Sequence, residues 1–394
     1  MGLTQVFTRS LRRDAASLRQ NPWDLAMISW LPLLAVALLW WTFSAGLPNH
    51  LPIGVMDQDH SAQSRQLVRF LEATPGLQVM RSYDNTAEVT QALRRAEVFG
   101  VVSIPPDFAR RLKQGRTTQI TLLHNAQLGT HSSLIQRDVR AAVGTLSAGV
   151  ELAARNKRGE SALSAQVSME PIKTGMVTLF NTALNYEQFL AAALIPALLH
   201  ILAMTAGAWT IGRELRDRSL PDWLGTQPGW GATAGGLLGK LVWPLLGLGS
   251  VGTLALLGLT WGRGWYPPGS LAWVLLALWL FMALSLAMGA LASSASRSLR
   301  TALSATGFIT APAFAFGGVA FPLQSMPPLA RGWAKMLPYT HYIRLQMEQL
   351  QMGAPLSYSV SILMALAGST LALLLLCLPL LKQAARQPDT WGQR

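Results

Sequence analysis

The segment LAMISWLPLLAVALLWWTF, Leu25–Phe43, decides how the rest of this chain is read. Its 19 residues carry no charge. As a helix they would span about 28 Å, close to the roughly 30 Å hydrocarbon layer of a bilayer. Pro32 predicts a kink, and Trp40 and Trp41 suit a membrane–water interface. The preceding residues include Arg9, Arg12, Arg13 and Arg19 and lack a small-residue cleavage pattern. They read as the flank of an uncleaved first span rather than as a secretory leader.

Composition extends this reading to the whole chain. Of 394 residues, 51% are hydrophobic and only 13% are charged, against about a quarter in soluble domains. Five more apolar runs follow: Phe189–Ile211, Gly235–Leu259, Leu271–Ala292, Thr301–Phe321 and Val360–Leu381. The expected fold class is an α-helical polytopic membrane protein with six transmembrane helices and an inserted extracytoplasmic α/β domain. Six spans put both termini on one side. Thirteen lysines and arginines fall there, including Arg213, Arg216, Arg218, Lys240, Arg297, Arg300 and Lys382. The opposite short loops hold four, Arg263, Arg331, Lys335 and Arg344. This bias places both termini in the cytoplasm. The net charge of +13 flanks apolar runs, so anionic lipid headgroups, not nucleic acid, are the expected partner. The lone Cys377 forms neither an internal disulfide nor a metal cluster.

The expected organisation is a cytoplasmic segment 1–24, a first span 25–43, an inserted domain 47–185, a five-helix region 189–381 and a tail 382–394. In the insertion, strand candidates at Pro52–Met56, Leu77–Arg81, Phe99–Ile104 and Ile120–His124 alternate with helix candidates from Ser61 to Leu71, Thr86–Ala96 and Asp107–Leu112. That alternation reads as a small α/β domain. Leu134, Ile135, Val139, Val143, Leu146 and Val150 recur at helical spacing and predict a long helix over Leu134–Arg158.

Where the first strand ends, Asp57-Gln58-Asp59-His60-Ser61 gathers two carboxylates, an imidazole and a hydroxyl. A period of two would point Asp57 and Asp59 the same way, as acid/base or cation-holding pairs require. No nucleophile or metal-ligand spacing accompanies them, and His124 and His131 do not supply one. The expectation is architectural, with Asp57 and Asp59 taking backbone N–H groups and Ser61 capping a helix. No catalytic residue, bound cofactor or metal site is expected.

Ala234–Leu241, AGGLLGKL, is the nearest approach to a phosphate-cradling loop, but a glycine is missing at its start and a hydroxyl at its end. Gly235 and Gly239 read instead as a small-residue helix-packing pair. In IGRELRDRSLPDWLGTQP, Ile211–Pro228, charges continue the second span, and Leu215, Leu220, Trp223 and Leu224 suggest an interfacial helix interrupted at Pro221. An element of this kind can meet a soluble partner; an ordinary positive loop anchored by Trp223 is the plainer alternative. Gly317, Gly318, Pro322 and Pro327-Pro328 break the outer segment 317–342 before Pro338 and His341. Glu187 and Glu348 fall near the same interface, as gate residues or as solvated helix ends.

Several stretches resemble ABC-2 type permeases, in particular the bacterial group with a large extracytoplasmic insertion after the first span. They are IGVMDQDHSAQSRQL (53–67), FGVVSIPPDFARRLKQG (99–115), LFNTALNYEQFLAAALIPALL (179–199), GRELRDRSLPDWLGTQP (212–228) and GGVAFPLQSMPPLARGWAKMLPYTHYIRL (317–345). They occur in the family's order over nearly the whole chain. Where the family reads Asn-Pro, this chain has Asn181-Thr182, and where it reads Gly-Thr after the cytoplasmic charges, this chain has Arg218-Ser219. The resemblance implies a multi-pass permease of the bacterial inner membrane that exports a hydrophobic or amphipathic substrate. ATP and Mg would be bound by a separate ABC ATPase subunit. The resemblance further implies a second copy or a related permease and, in Gram-negative members, a periplasmic membrane-fusion adaptor. Under it, Arg213, Glu214, Arg216, Asp217, Trp223 and Leu224 form the ATPase-coupling element. Glu187, Gly317, Gly318, Pro322, Pro338, His341 and Glu348 form the outer gate. Two other classes remain open: a membrane-anchored ligand-binding or sensor protein without transport, and a membrane enzyme using Asp57, Asp59 and His60.

Overall fold

A computed structural model of the chain describes residues 2–126, 129–157, 181 and 185–392. Residue 158 of the expected long helix, residues 179–180 and 182–184, and residue 394 lie outside them. The chain divides into two compact units, Met1–Gly46 with Thr178–Arg394, and Leu47–Val177.

The first unit opens with α1 (Leu3–Gln20), α2 (Pro22–Ile28) and α3 (Trp30–Phe43). The helix α1 was not anticipated. It is amphipathic, with Val6, Ser10 and Asp14 buried along one face. The expected kink at Pro32 is displaced to Ser29, whose φ of −130° and ψ of −96° break the helix. Proline lacks the N–H that would bond the carbonyl four residues earlier, so the ladder fails ahead of it, and Pro32 itself sits comfortably in the first turn of α3.

The inserted unit comprises β1 (Leu51–Asp57), α4 (Ala62–Glu72), β2 (Leu77–Ser82), α5 (Thr86–Arg94), β3 (Gly100–Ile104), α6 (Phe108–Lys113), β4 (Thr121–His124) and α7 (Gly129–Lys157). The sheet order is β2-β1-β3-β4. The strand β1 pairs parallel with β2 and β3, and β4 closes the edge antiparallel. Strand periodicity splits the apolar side chains between two faces. Ile53, Val55, Val102 and Ile104 pack with Leu67 and Leu71 of α4, Phe108, and Ile135, Val139 and Leu146 of α7. Met56 and Val101 pack with Tyr83 and with Val89 and Ala92 of α5 on the other. The crossovers β1–α4–β2 and β2–α5–β3 run in opposite directions across the sheet and put α4 and α5 on opposite faces, the arrangement of a doubly wound sheet.

The transmembrane unit continues with a π-helical turn (Glu187–Ala191), α8 (Ala192–Arg216), α9 (Leu220–Leu224), α10 (Trp230–Thr260), α11 (Leu271–Ser296), α12 (Leu299–Thr310), α13 (Ala313–Phe316), α14 (Pro328–Met336), α15 (Pro338–Leu350) and α16 (Leu356–Arg386). Five helices among the described residues are long and apolar enough to cross a membrane: Pro22–Phe43, Glu187–Arg216, Trp230–Arg263, Leu271–Ser296 and Leu356–Arg386. The run Thr301–Phe321, expected as one span, is two helices separated at Ala311-Pro312. Pro312 removes a ladder donor, and Gly318 turns the chain at φ +83°. The helices α8 and α11 cross closely at two glycines. A Cβ at Gly207 would lie 2.2 Å from the Leu286 carbonyl oxygen, and one at Gly289 would lie 2.0 Å from that of Met204.

Candidate functional site

Two groups of polar contacts mark the ends of the transmembrane unit. At the end bearing α1, six charged side chains converge from four elements: Arg13 and Asp14 of α1, Asp24 of α2, Arg213 and Glu214 of α8, and Lys240 of α10. Three acids face three bases, so the cluster is neutral. Lys240 is fully buried, and its Nζ lies 2.8 Å from both Asp14 Oδ1 and Glu214 Oε1. Arg13 Nη2 reaches Glu214 Oε2 at 3.0 Å. Arg213 pairs with Asp24, donates to Ser17 Oγ at 3.0 Å and lies 3.9 Å from Asp14 Oδ1. Ser219 also donates to Glu214. Burial pushes the Asp14 carboxyl above the usual carboxylate range, against the pull of Lys240 and Arg213.

Glycines seat α1 against α10. A Cβ at Gly235 would lie 2.2 Å from the Leu3 carbonyl oxygen, and one at Gly239 would lie 2.7 Å from that of Phe7. The pair therefore packs a helix, as its spacing suggested. Trp243 Nε1 fastens the contact by donating to the Leu11 carbonyl at 3.0 Å.

The coupling element differs from its expected form. Trp223 and Leu224 are buried in the protein, not lodged in the membrane interface. Trp223 Nε1 donates to Ser10 Oγ at 2.7 Å, and the Lys240 ammonium stands 4.9 Å from its ring centroid. Pro221 does not interrupt the helix; it occupies the first turn of α9, where no N–H is needed. Glu214 is enclosed in the ion cluster. The surface of the element is made by Arg216, Asp217, Arg218 and Asp222. Arg216 Nε donates to Asp217 Oδ1 at 2.7 Å, which holds the Asp217 carboxyl below the usual range. Arg9 of α1 donates to the Asp222 carbonyl at 3.0 Å. Beneath this exposed loop, ionic contacts of Arg213 and Glu214 connect α8 with α1, α2 and α10.

At the opposite end, Glu187 and Glu348 are not solvated helix ends. Glu187 is 1% exposed and receives hydrogen bonds from Arg263 Nε at 2.9 Å and from Trp40 Nε1. Arg263 Nη2 also donates to the Ser44 carbonyl at 2.7 Å. Glu348 Oε1 accepts from Arg344 at 2.9 Å and Oε2 from Ser359 Oγ at 3.1 Å. His341 donates to the Lys335 carbonyl at 2.7 Å and is half-buried. The Tyr339 ring fills the space beside Gly317, and Pro338 opens α15. Pro322 precedes a short 3-10 turn. These residues occupy several separate places within the chain rather than one ring.

Glu187 belongs to the π-helical turn that leads into the irregular start of α8. Pro196 leaves the Ala192 carbonyl without its helical donor, and Gln346 Nε2 supplies one at 2.7 Å. Tyr339 Oη donates to the Ala193 carbonyl at 2.9 Å, and Gln351 Nε2 to that of Gln188 at 2.8 Å. The π-helical turn and the proline interrupt the regular ladder here, and α15 with its following turn holds three carbonyls of this stretch.

In the inserted unit, the strand ends at Asp57, so the period of two no longer governs Asp59, and the two carboxylates have different targets. Asp57 Oδ1 accepts from Asp59 N at 3.0 Å and His60 N at 3.1 Å. Asp59 Oδ2 accepts from Ala109 N at 3.1 Å, at the start of α6. Ser61 Oγ accepts from Ser64 N at 3.1 Å. The crevice between the carboxyl ends of β1 and β3 is the usual ligand position of a doubly wound sheet. Here the side chain of Asp59 reaches across to the start of α6, accepting from Ala109 N.

Sequence reasoning missed Asp14, Asp24 and Gln346, gave Trp40 only an interfacial place, and counted Lys240 only among the cytoplasmic-side charges. Lys240 offered a signal: a lysine inside an apolar helical run demands a buried acid. Among the described residues, no group of three or more His, Cys, Asp or Glu side chains is arranged to hold a metal.

The architecture defines a polytopic α-helical membrane protein with an inserted β-sheet domain. Residues 22–378 match the family described as ABC-2 family transporter protein, and the chain belongs to that family. It is a permease component rather than an enzyme. The chain is also similar to ABC transporter G family member 20 of Dictyostelium discoideum, at 23% identity over 324 residues covering 82% of this chain. It spans 43% of that relative's length.

Proposed function

We propose that this chain is the transmembrane subunit of an ATP-driven exporter of the bacterial inner membrane. A separate ABC ATPase binds ATP and Mg and docks at the exposed loop of Arg216, Asp217, Arg218 and Asp222. The buried members of the expected coupling set, Arg213, Glu214, Trp223 and Leu224, pass its motion inward. The observation that carries this reading is the six-charge cluster, which ties that loop to α1 and to three membrane helices. ATP binding drives the exporter by favouring one of two permease states, with no covalent chemistry in this chain.

Six crossings complete the topology, the sixth assembled from α12 through α15. Arg297 meets Gln387 and Thr390 at 2.7 and 2.9 Å, whereas Ser270 N meets Gln349 Oε1 at 3.0 Å at the other end. These contacts support a broken segment that runs from one end to the other. Both termini lie in the cytoplasm. A second copy or a related permease completes the pathway, with a periplasmic adaptor receiving the cargo. Glu187, Gly317, Gly318, Pro322, Pro338, His341 and Glu348 support the outer gate by holding the opening turn of α8 and the segment packed on it. The cargo is hydrophobic or amphipathic.

Purification from native membranes tests this reading. An ABC ATPase should copurify, and replacing Asp217 by lysine should release it while leaving the chain folded. Purification without any ATPase under conditions that keep other inner-membrane complexes intact would overturn it.

A further inference from the structure

The outer end of the transmembrane unit contains a cavity of about 410 Å³, within the size range of sites that enclose small molecules. It is walled by the π-helical turn and the start of α8, the end of α10, the loop before α11 and the residues after α15. Leu259, Trp265 and Met352 give it apolar surface, while Gln188, Thr260 and Gln351 give it hydrogen-bonding groups. Among the described residues, no Asp, Glu, Lys, Arg or His lines it.

The polar groups are unequally engaged. Thr260 Oγ1 donates to the Leu256 carbonyl at 2.7 Å. Gln351 spends its amide N–H on the Gln188 carbonyl, at 2.8 Å, and among the described residues its Oε1 has no donor. The nearby Glu187 and Arg263 neutralise each other at 2.9 Å.

We infer that this cavity binds an uncharged amphipathic molecule, its apolar body against Leu259, Trp265 and Met352 and its hydrogen-bonding head at Gln188 and Gln351. A charged head would lose water without gaining a counter-charge. The occupant touches the wall that Gln351 and Gln346 hold against the irregular start of α8, so its presence bears directly on that turn. Treating the occupant as cargo rests on the exporter reading; the binding chemistry does not.

The test uses the purified full chain in nanodiscs of zwitterionic lipid. Three benzophenone-alkyl photoprobes share one body and carry a glucoside, a carboxylate or a quaternary ammonium head. The glucoside probe should label residues 259–268 and 350–352 saturably, and each charged probe should label them at least about tenfold less. Met352→Trp, at the half-open rim, should remove most of this labelling with unchanged thermal unfolding. Gln188→Leu should weaken it for the glucoside probe selectively. Equal labelling by all three probes, labelling that does not saturate, or labelling undiminished in both variants would overturn the inference. Because no ATPase takes part, labelling that persists without ATP coupling would sink the exporter reading alone. Coupling that persists without labelling would sink this site alone.

Discussion

Replacing Lys240 with methionine tests whether the ion cluster fastens α1 to the transmembrane unit. Methionine keeps most of the length of the side chain and removes its charge. Two buried carboxylates then lose a cation that stood 2.8 Å from each. Glu214 retains Arg13 at 3.0 Å, but Asp14 retains only Arg213 at 3.9 Å. Removing one partner of a buried ion pair commonly costs about 3–5 kcal/mol. The remaining cations favour the lower end, about 3 kcal/mol. At about 1.4 kcal/mol per factor of ten, the population with α1 detached should rise roughly a hundredfold. Trypsin cleavage at the exposed Arg9 and Arg12 reads that population when opening and closing outpace cleavage. Asp14→Leu combined with Lys240→Met should recover at least half of the lost protection, because the stranded carboxylate is gone. Wild-type cleavage in Lys240→Met, or simple additivity in the double variant, would refute the reasoning.

Gly239→Leu should also raise cleavage in α1, since its Cβ would fall 2.7 Å from the Phe7 carbonyl oxygen; unchanged cleavage would mean that the contact is not required. In the inserted unit, Ser61→Ala should cost about 0.5–2 kcal/mol in thermal unfolding. Asp59→Asn should be milder than Asp59→Ala, because an amide oxygen still accepts from Ala109; loss of transport in Asp59→Asn with native unfolding would instead make this stretch a ligand site. On a Cys377→Ala background, an impermeant thiol reagent should label a cysteine at Gln114 in intact spheroplasts and one at Asp217 only after permeabilisation. Labelling at Asp217 in intact spheroplasts would reverse the orientation.

The apolar runs made most of the bundle legible, because length and lack of charge are properties of single segments. The inserted sheet was legible for the same reason: Leu51–Asp57, Leu77–Ser82 and Gly100–Ile104 each lie between turn and cap signals, and Ser61 caps the helix it was expected to cap. What escaped depends on pairing between distant residues. Asp14 and Lys240 are separated by 226 positions, and nothing local to either announces the other. Trp223 looks interfacial until α1 covers it. Gln346 gains its role only because Pro196, far away in sequence, frees a carbonyl beside it. The broken span was legible in part: Gly317, Gly318 and Pro322 marked its outer end, whereas the separation at Pro312 lay inside the stretch taken as continuous.

The central claim is that this chain couples a separate ATPase to its membrane helices. ATP turnover by the copurified ATPase in proteoliposomes, with and without this chain, measures that coupling most directly. The account predicts that the chain raises turnover, and that Lys240→Met loses the increase while the ATPase stays bound. Identical turnover with the wild-type chain, with the Lys240→Met chain and with no chain at all would contradict it.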